Sequence, residues 1–221
     1  MNQGTLIKNI HLGIKKTNDL YMAWTGGWWL TAYGVENFMV GNVARFIMEQ
    51  EDRPAYAFLE LSFAEMYNDA RRFPSEEDAI PDEKKYTNRV DLAFYSKASK
   101  VQYALEFKKI WTTEGFKHDA ARLAGLLSVL GTKQGGALTC AVFACLVEVN
   151  GSSREVTLKN MRSKIDGCKK YAVEELSGAV AFCEVTSSLD YEDIGPVLTE
   201  DGTQALASLC VRMHNGRNRQ D

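Results

Sequence analysis

Apolar positions along this chain fall into two rhythms, one near 3.6 residues and one of two, and the switches between them predict the elements. Residues 33–50, YGVENFMVGNVARFIMEQ, place Val35, Phe38, Met39, Val43, Phe46 and Ile47 at helical spacing, an amphipathic helix with Glu36 in its first turn. Ile7, Ile10, Ile14, Leu20 and Tyr21 suggest another helix before it. Between 89 and 109 the period becomes two. Val90, Leu92 and Phe94 form one set and Asp91, Ala93 and Tyr95 the other; Tyr103, Leu105 and Phe107 then alternate with Ala104, Glu106 and Lys108. Matching the apolar sets across an antiparallel hairpin sets Leu92 against Leu105, Val90 against Phe107 and Phe94 against Tyr103, with Lys97-Ala98-Ser99-Lys100 as the turn. The same register sets Asp91 against Glu106.

Beyond the hairpin, Ala121, Leu123, Ala124, Leu127 and Leu130 predict a helix over 118–130 that ends at Gly131. Residues 137–149, ALTCAVFACLVEV, read as a buried strand, 154–176 as a helix stopped before Gly178, and 179–186 as a second buried strand. Strand, helix, strand in succession requires a crossover, so the fold expected is α/β, a mixed central sheet flanked by helices. Residues 55–63 fit a strand, though ELSFAEMYNDARRF also fits a helix; in the strand reading Glu60 is an outward-facing acid or a further carboxylate near the hairpin. Residues 74–85, with two of the four prolines and many charges, read as a solvated loop. We expect residues 1–31 to be a helical extension packed on a domain of residues 32–221. Trp24, Trp28 and Trp29 surround a Gly-Gly turn; core anchoring is the favoured role, with a homodimer or partner-protein contact as the alternative.

Composition narrows the class. With 221 residues and 45% hydrophobic content the chain can bury one α/β core, and no signal peptide, membrane span or repeat is visible. The five cysteines lie in apolar segments without C-x-x-C spacing, which predicts reduced core thiols and a cytoplasmic location. Three histidines far apart argue against a histidine metal centre. The net charge is −3, yet residues 84–122 hold nine Lys or Arg against four acids, a local +5 that leaves −8 for the rest. Positive charge gathered around the hairpin suits a phosphate backbone, or simply a solvated face.

Two carboxylates on opposed strand residues repel, with Cβ atoms about 4.5–5.5 Å apart. Mg²⁺, which is held by one or two carboxylates with waters and phosphate oxygens, compensates such a pair. Lys108, on the same face, could orient or help deprotonate a water beside the metal, while Ala93 and Ala104 leave the face uncrowded. The alternative is an ordinary charged outer face in which Lys108 neutralises Glu106.

An Asp ending a strand behind a basic residue, a turn, then Glu-x-Lys within an apolar strand, Glu106-Phe107-Lys108, resembles the active-site motif of the PD-(D/E)xK nuclease superfamily. The place before the first acid, Pro or a small residue in that family, is Val90 here. The resemblance implies a restriction-endonuclease-like core, Asp91, Glu106 and the backbone carbonyl of Phe107 as metal ligands, and Lys108 as the catalytic lysine. It also implies a helix glutamate that helps hold the metal or its water, with Glu36 favoured as this further ligand over Glu49 at the other end of the helix. The expected function is Mg²⁺-dependent hydrolysis of phosphodiesters, with Mn²⁺ able to substitute, DNA favoured over RNA, and Arg89, Lys109, Lys117 and His118 as nucleic-acid contacts. The rival is a non-catalytic nucleic-acid-binding or assembly module on the same fold.

Overall fold

A computed structural model of the protein describes residues 1–72 and 87–215; the expected loop at 74–85 lies outside the described residues. The chain opens with helix α1 (Gln3–Thr25), capped by the Asn2 carboxamide, which accepts from the Thr5 N–H at 2.8 Å, and closed by Gly26 in the left-handed region. Helices α2 (Leu30–Tyr33) and α3 (Glu36–Met48) follow, then strand β1 (Tyr56–Ser62) and helix α4 (Phe63–Ala70). Both readings of the 55–70 segment therefore hold in succession. The strand gives way to helix at Ser62, whose hydroxyl and backbone form a reciprocal capping box with Glu65.

Next come β2 (Arg89–Tyr95), β3 (Val101–Lys108), α5 (Thr113–Leu130), β4 (Cys140–Asn150), α6 (Arg154–Leu176), β5 (Phe182–Ser187), β6 (Val197–Leu198) and β7 (Gln204–His214). They build an open, mixed, seven-stranded sheet in the order β1-β2-β3-β4-β7-β5, with β6 on β7. Strands β3 and β4 are parallel across the α5 crossover, while β7 inserts antiparallel between β4 and β5. This long strand, QALASLCVRMH, has no counterpart in the sequence reading. Nearly all its residues are buried, so it shows no period-two alternation to find. Strand β5 was expected to be buried, but it is an edge strand with half-buried residues.

Helices cover both faces. On one, Leu6, Ile10 and Ile14 of α1 and Met39, Val43 and Ile47 of α3 pack on Leu92, Phe94, Leu105, Phe107 and Val142. Residues 1–31 thus share a core with the hairpin. On the other, Phe63 and Met66 of α4, Phe116, Leu123 and Leu127 of α5, and Met161 and Ile165 of α6 pack on Ala93, Ala104, Ala141 and Phe143. The face carrying Ala93 and Ala104 is therefore roofed by helices and not open as expected; both alanines are fully buried. Helix α5 starts at Thr113, five residues before the expected start, because the Thr112 hydroxyl caps it; Ala121 faces solvent, and the buried stripe runs Phe116, Ala120, Leu123, Leu127, Leu130.

The hairpin pairs Leu92 with Leu105, Ala93 with Ala104 and Phe94 with Tyr103, as the alternation predicts, and a bulge then shifts Tyr95 onto Val101. At the other end the ladder stops at Leu92–Leu105, and neither expected pair, Asp91–Glu106 or Val90–Phe107, forms. Glu60, exposed and left-handed at φ 53°, interrupts the β1–β2 ladder opposite Asp91. Val90 and Leu61 consequently join the α4–α5 side of the core, whereas Leu92 belongs to the α1–α3 side. A one-residue irregularity reverses sidedness, because side chains alternate with every residue.

Of the three tryptophans around the Gly-Gly turn, Trp29 is a core anchor, while Trp24 and Trp28 are 68% and 55% exposed, contrary to the favoured reading. All five cysteines are free, four buried and Cys183 half-buried. No helix among the described residues is long and apolar enough to cross a membrane.

Candidate active site

At the irregular end of the hairpin, the Asp91 carboxylate takes the place of a ladder partner and accepts the Phe107 N–H at 2.6 Å. That bond turns Asp91 towards β3, where its charge acts on Glu106. Glu106 is almost fully buried beneath α5. Lys108, two residues on, reaches between two elements: its ammonium lies 3.3 Å from Glu36 Oε1 at the start of α3 and 3.1 Å from Asp119 Oδ2 on α5. Glu36 Oε2 accepts the Lys109 N–H at 3.0 Å, which fixes the first turn of α3 against the end of β3.

Helix α5 contributes two residues that the sequence reading did not assign to the site. The Arg122 guanidinium lies 2.6 Å from Glu106 Oε1 and 3.0 Å from Asp119 Oδ1, and it also donates to the Arg89 carbonyl. Both carboxylates it bridges are only 2% exposed. Asp119 and Arg122 are one turn apart, between Phe116 and Leu123 of the buried stripe. A charged pair inside an apolar stripe was the available signal.

Counting formal charges, Glu36, Asp91, Glu106 and Asp119 face Lys108 and Arg122, four acids against two cations, an excess of −2. The excess is expressed in the carboxyls themselves. Burial, and then the Asp91 charge, push Glu106 up to about 9 despite the adjacent guanidinium. Asp91 is raised as well, by burial and by the charge of Glu36, against the opposing Phe107 hydrogen bond. At neutral pH the Asp91–Glu106 pair therefore retains a proton. Lys108 behaves oppositely. Partial burial pulls its pKa down, but Asp119 and Glu36 outweigh it and hold the ammonium above the ordinary lysine value.

A divalent cation fits these residues. The donors are hard oxygens, the uncompensated charge is −2, and the two carboxyls that would bind it are those burdened with a proton. Among the described residues no group of three or more His, Cys, Asp or Glu converges as a ready-made cage, whereas Mg²⁺ ordinarily takes one or two carboxylates and completes its shell with water.

The remaining candidates are spread around this cluster. Glu49 is exposed at the far end of α3 and pairs with Arg45 at 3.7 Å. Lys117 is exposed and paired with Glu175 at 3.5 Å; His118 is exposed, with Nδ1 3.1 Å from Asp119 Oδ1. Arg89 enters the network through its carbonyl and Lys109 through its N–H. Glu36→Gln is therefore expected to loosen Lys108 and to lower any activity that depends on it roughly tenfold or more, with Glu49→Gln close to wild type. Equal turnover numbers in the two variants would remove α3 from the chemistry.

Compared with protein-family models, characterised proteins and solved structures, the chain has no significant match to any of them.

Proposed function

We propose that the protein is a Mg²⁺-dependent nuclease of the PD-(D/E)xK type that hydrolyses phosphodiester bonds, in DNA rather than RNA. The observation that carries this reading is the carboxyl cluster at the end of β3: half-buried Asp91 on the Phe107 N–H, buried Glu106 on Arg122, and Lys108 between Glu36 and Asp119, four acids against two cations by formal charge. A cation bound there by Asp91, Glu106 and the Phe107 carbonyl would supply positive charge against the phosphate and make a nearby water more acidic. Mn²⁺ would serve in its place.

The protein's own groups have separate tasks. Asp119 and Glu36 hold Lys108 as an ammonium, so it stabilises charge developing on the phosphate and orients the attacking water, and it does not act as a base. Water adds to phosphorus as the bond to the leaving sugar oxygen breaks, the water giving up a proton to solvent and the leaving oxygen taking one from it. Arg122 steadies Glu106 from the α5 side. Arg89, Lys109, Lys117 and His118 border the cluster and would meet flanking phosphates. Free cysteines fit a reducing compartment, the cytoplasm.

A second reading, a non-catalytic nucleic-acid-binding or assembly module, draws on one feature: two of the protein's own cations already bridge the acids, Arg122 between Glu106 and Asp119 and Lys108 between Glu36 and Asp119. Cleavage assays on duplex, single-stranded and branched DNA and on RNA, with Mg²⁺, Mn²⁺ or EDTA, decide between them. Metal-dependent products support the nuclease; binding without products supports the module. If Lys108 stabilises the transition state, Lys108→Ala lowers kcat by about 10²-fold with KM little changed. A change confined to KM would make it a phosphate anchor.

A further inference from the structure

Two tryptophans and a tyrosine stand in water beside the proposed site. Trp24, Trp28 and Tyr33 are 68%, 55% and 70% exposed, although large aromatics are usually well buried. They are held firmly. Gly26 and Gly27 take positive φ values of 70° and 107°, Trp29 and Leu30 anchor the segment in the core, and the Leu30 N–H donates to the buried Asn18 carboxamide at 3.0 Å. The Trp28 ring meets Tyr33 edge-on at 5.2 Å, and Trp24 lies against Phe38 of α3 at 5.3 Å.

A cleft of about 460 Å³ opens beside Trp28, with Gly26 and Gly27 on its wall and Glu148, Thr199 and Gln204 across from them. The lining thus brings an aromatic ring together with side chains that hydrogen-bond. That combination suits an unpaired nucleobase, which presents a π-face and an edge of donors and acceptors. A buried apolar protein anchor would leave Glu148, Thr199 and Gln204 facing hydrocarbon.

Two short stretches of chain connect residues at the cleft to residues of the carboxylate cluster. Tyr33 is three residues before Glu36, a span of at most about 11 Å. Glu148 is three residues beyond Cys145, the β4 partner of Lys108, which is about 10 Å along the strand. A nucleic-acid strand rises about 3.4 Å per stacked nucleotide, so a few nucleotides bridge the two places.

We infer that the Trp28 cleft holds an unpaired base of the substrate, and that Trp24 and Tyr33 extend the stacking surface. The protein is then selective for nucleic acid with a single-stranded stretch next to the bond cleaved. This rests on the nuclease reading for its chemistry but not for its binding, and the test separates the two. Anisotropy titrations with a labelled dT₁₂ oligonucleotide, its RNA equivalent and a blunt duplex, all in EDTA, compare wild type, Trp28→Ala, Trp28→Phe and Gln204→Ala; cleavage of the same probes is followed in Mg²⁺.

Trp28→Ala is expected to weaken binding of the single strands about tenfold, Trp28→Phe to restore most of it, and both to leave the blunt duplex unchanged. Loss of single-strand binding in a protein that cleaves nothing would keep the cleft and reject the nuclease. Asp91-dependent cleavage that is indifferent to Trp28 and to strandedness would keep the nuclease and reject the cleft. Equal weakening of duplex and single strand, no binding of either single strand by wild type, or a wild-type dimer in sedimentation that Trp28→Ala dissociates would also overturn it, the last by making the aromatic surface an interface between copies.

Discussion

Asp91→Ala and Glu106→Gln should each lower Mg²⁺-dependent cleavage by about 10³-fold or more, and Glu106→Gln should leave the protein as stable as wild type or more so. The loss follows from removing a ligand worth several kcal/mol of transition-state charge stabilisation. The gain follows from the charge excess. Glu106 has its carboxyl raised from 4.5 to about 9 in the folded protein, so folding favours its protonated form. Its contribution to stability is complete below about pH 4.5 and is lost as pH rises towards about 9. Each pH unit between those values is worth about 1.4 kcal/mol, so wild type forfeits of order 3 kcal/mol by pH 7.

Glu106→Gln cannot ionise and should escape that decline. Urea denaturation at pH 5.5, 7 and 8.5 should show the variant gaining on wild type at each step; parallel pH profiles would disprove the burdened pair. The same proton gives a readout of metal binding independent of activity. Mg²⁺ must displace it, so calorimetric titration at pH 7 in two buffers of different ionisation enthalpy should reveal up to one proton released per site. Wild-type cleavage persisting in both variants would sink the catalytic assignment.

The largest loss of stability is expected from Arg122→Ala. This substitution strands two carboxylates, Glu106 and Asp119, each 2% exposed, and removes a donor from the Arg89 carbonyl. Breaking a buried pair by deleting one partner typically costs 3–5 kcal/mol. Protonation of Glu106 and the remaining Lys108–Asp119 contact soften this, leaving about 3 kcal/mol and a melting temperature lower by roughly 10 °C for a chain of this size. Arg122→Lys, which keeps the charge but not the fork that spans both acids, should fall between. Added Mg²⁺ should raise the melting temperature of Arg122→Ala more than that of wild type, because the cation replaces the missing positive charge. A change under about 2 °C in Arg122→Ala would mean that the guanidinium does not hold the cluster together.

These two experiments probe features of different origin. The hairpin register from Leu92–Leu105 to Phe94–Tyr103, the α3 and α6 helices and the mixed, helix-covered sheet were legible along the chain, since periods of two and 3.6 are local properties of residue order. Asp91, Glu106 and Lys108 were legible as neighbours on one hairpin, but the expected pairing of Asp91 with Glu106 gave way to the Asp91 side chain on the Phe107 N–H. Strand β7 was not legible, because a strand buried on both faces loses its alternation, and neither was the exposure of Trp24 and Trp28, which depends on where the Gly26–Gly27 turn lies on the finished surface. The reversal at Val90 depends on Glu60 across the β1–β2 ladder, about thirty residues away. Above all, Asp119 and Arg122 became partners of Glu106 and Lys108 only when α5 crossed over the sheet. Residue order sets which side chains share a face, but packing decides which charges are removed from water together, and that desolvation puts the proton on the Asp91–Glu106 pair.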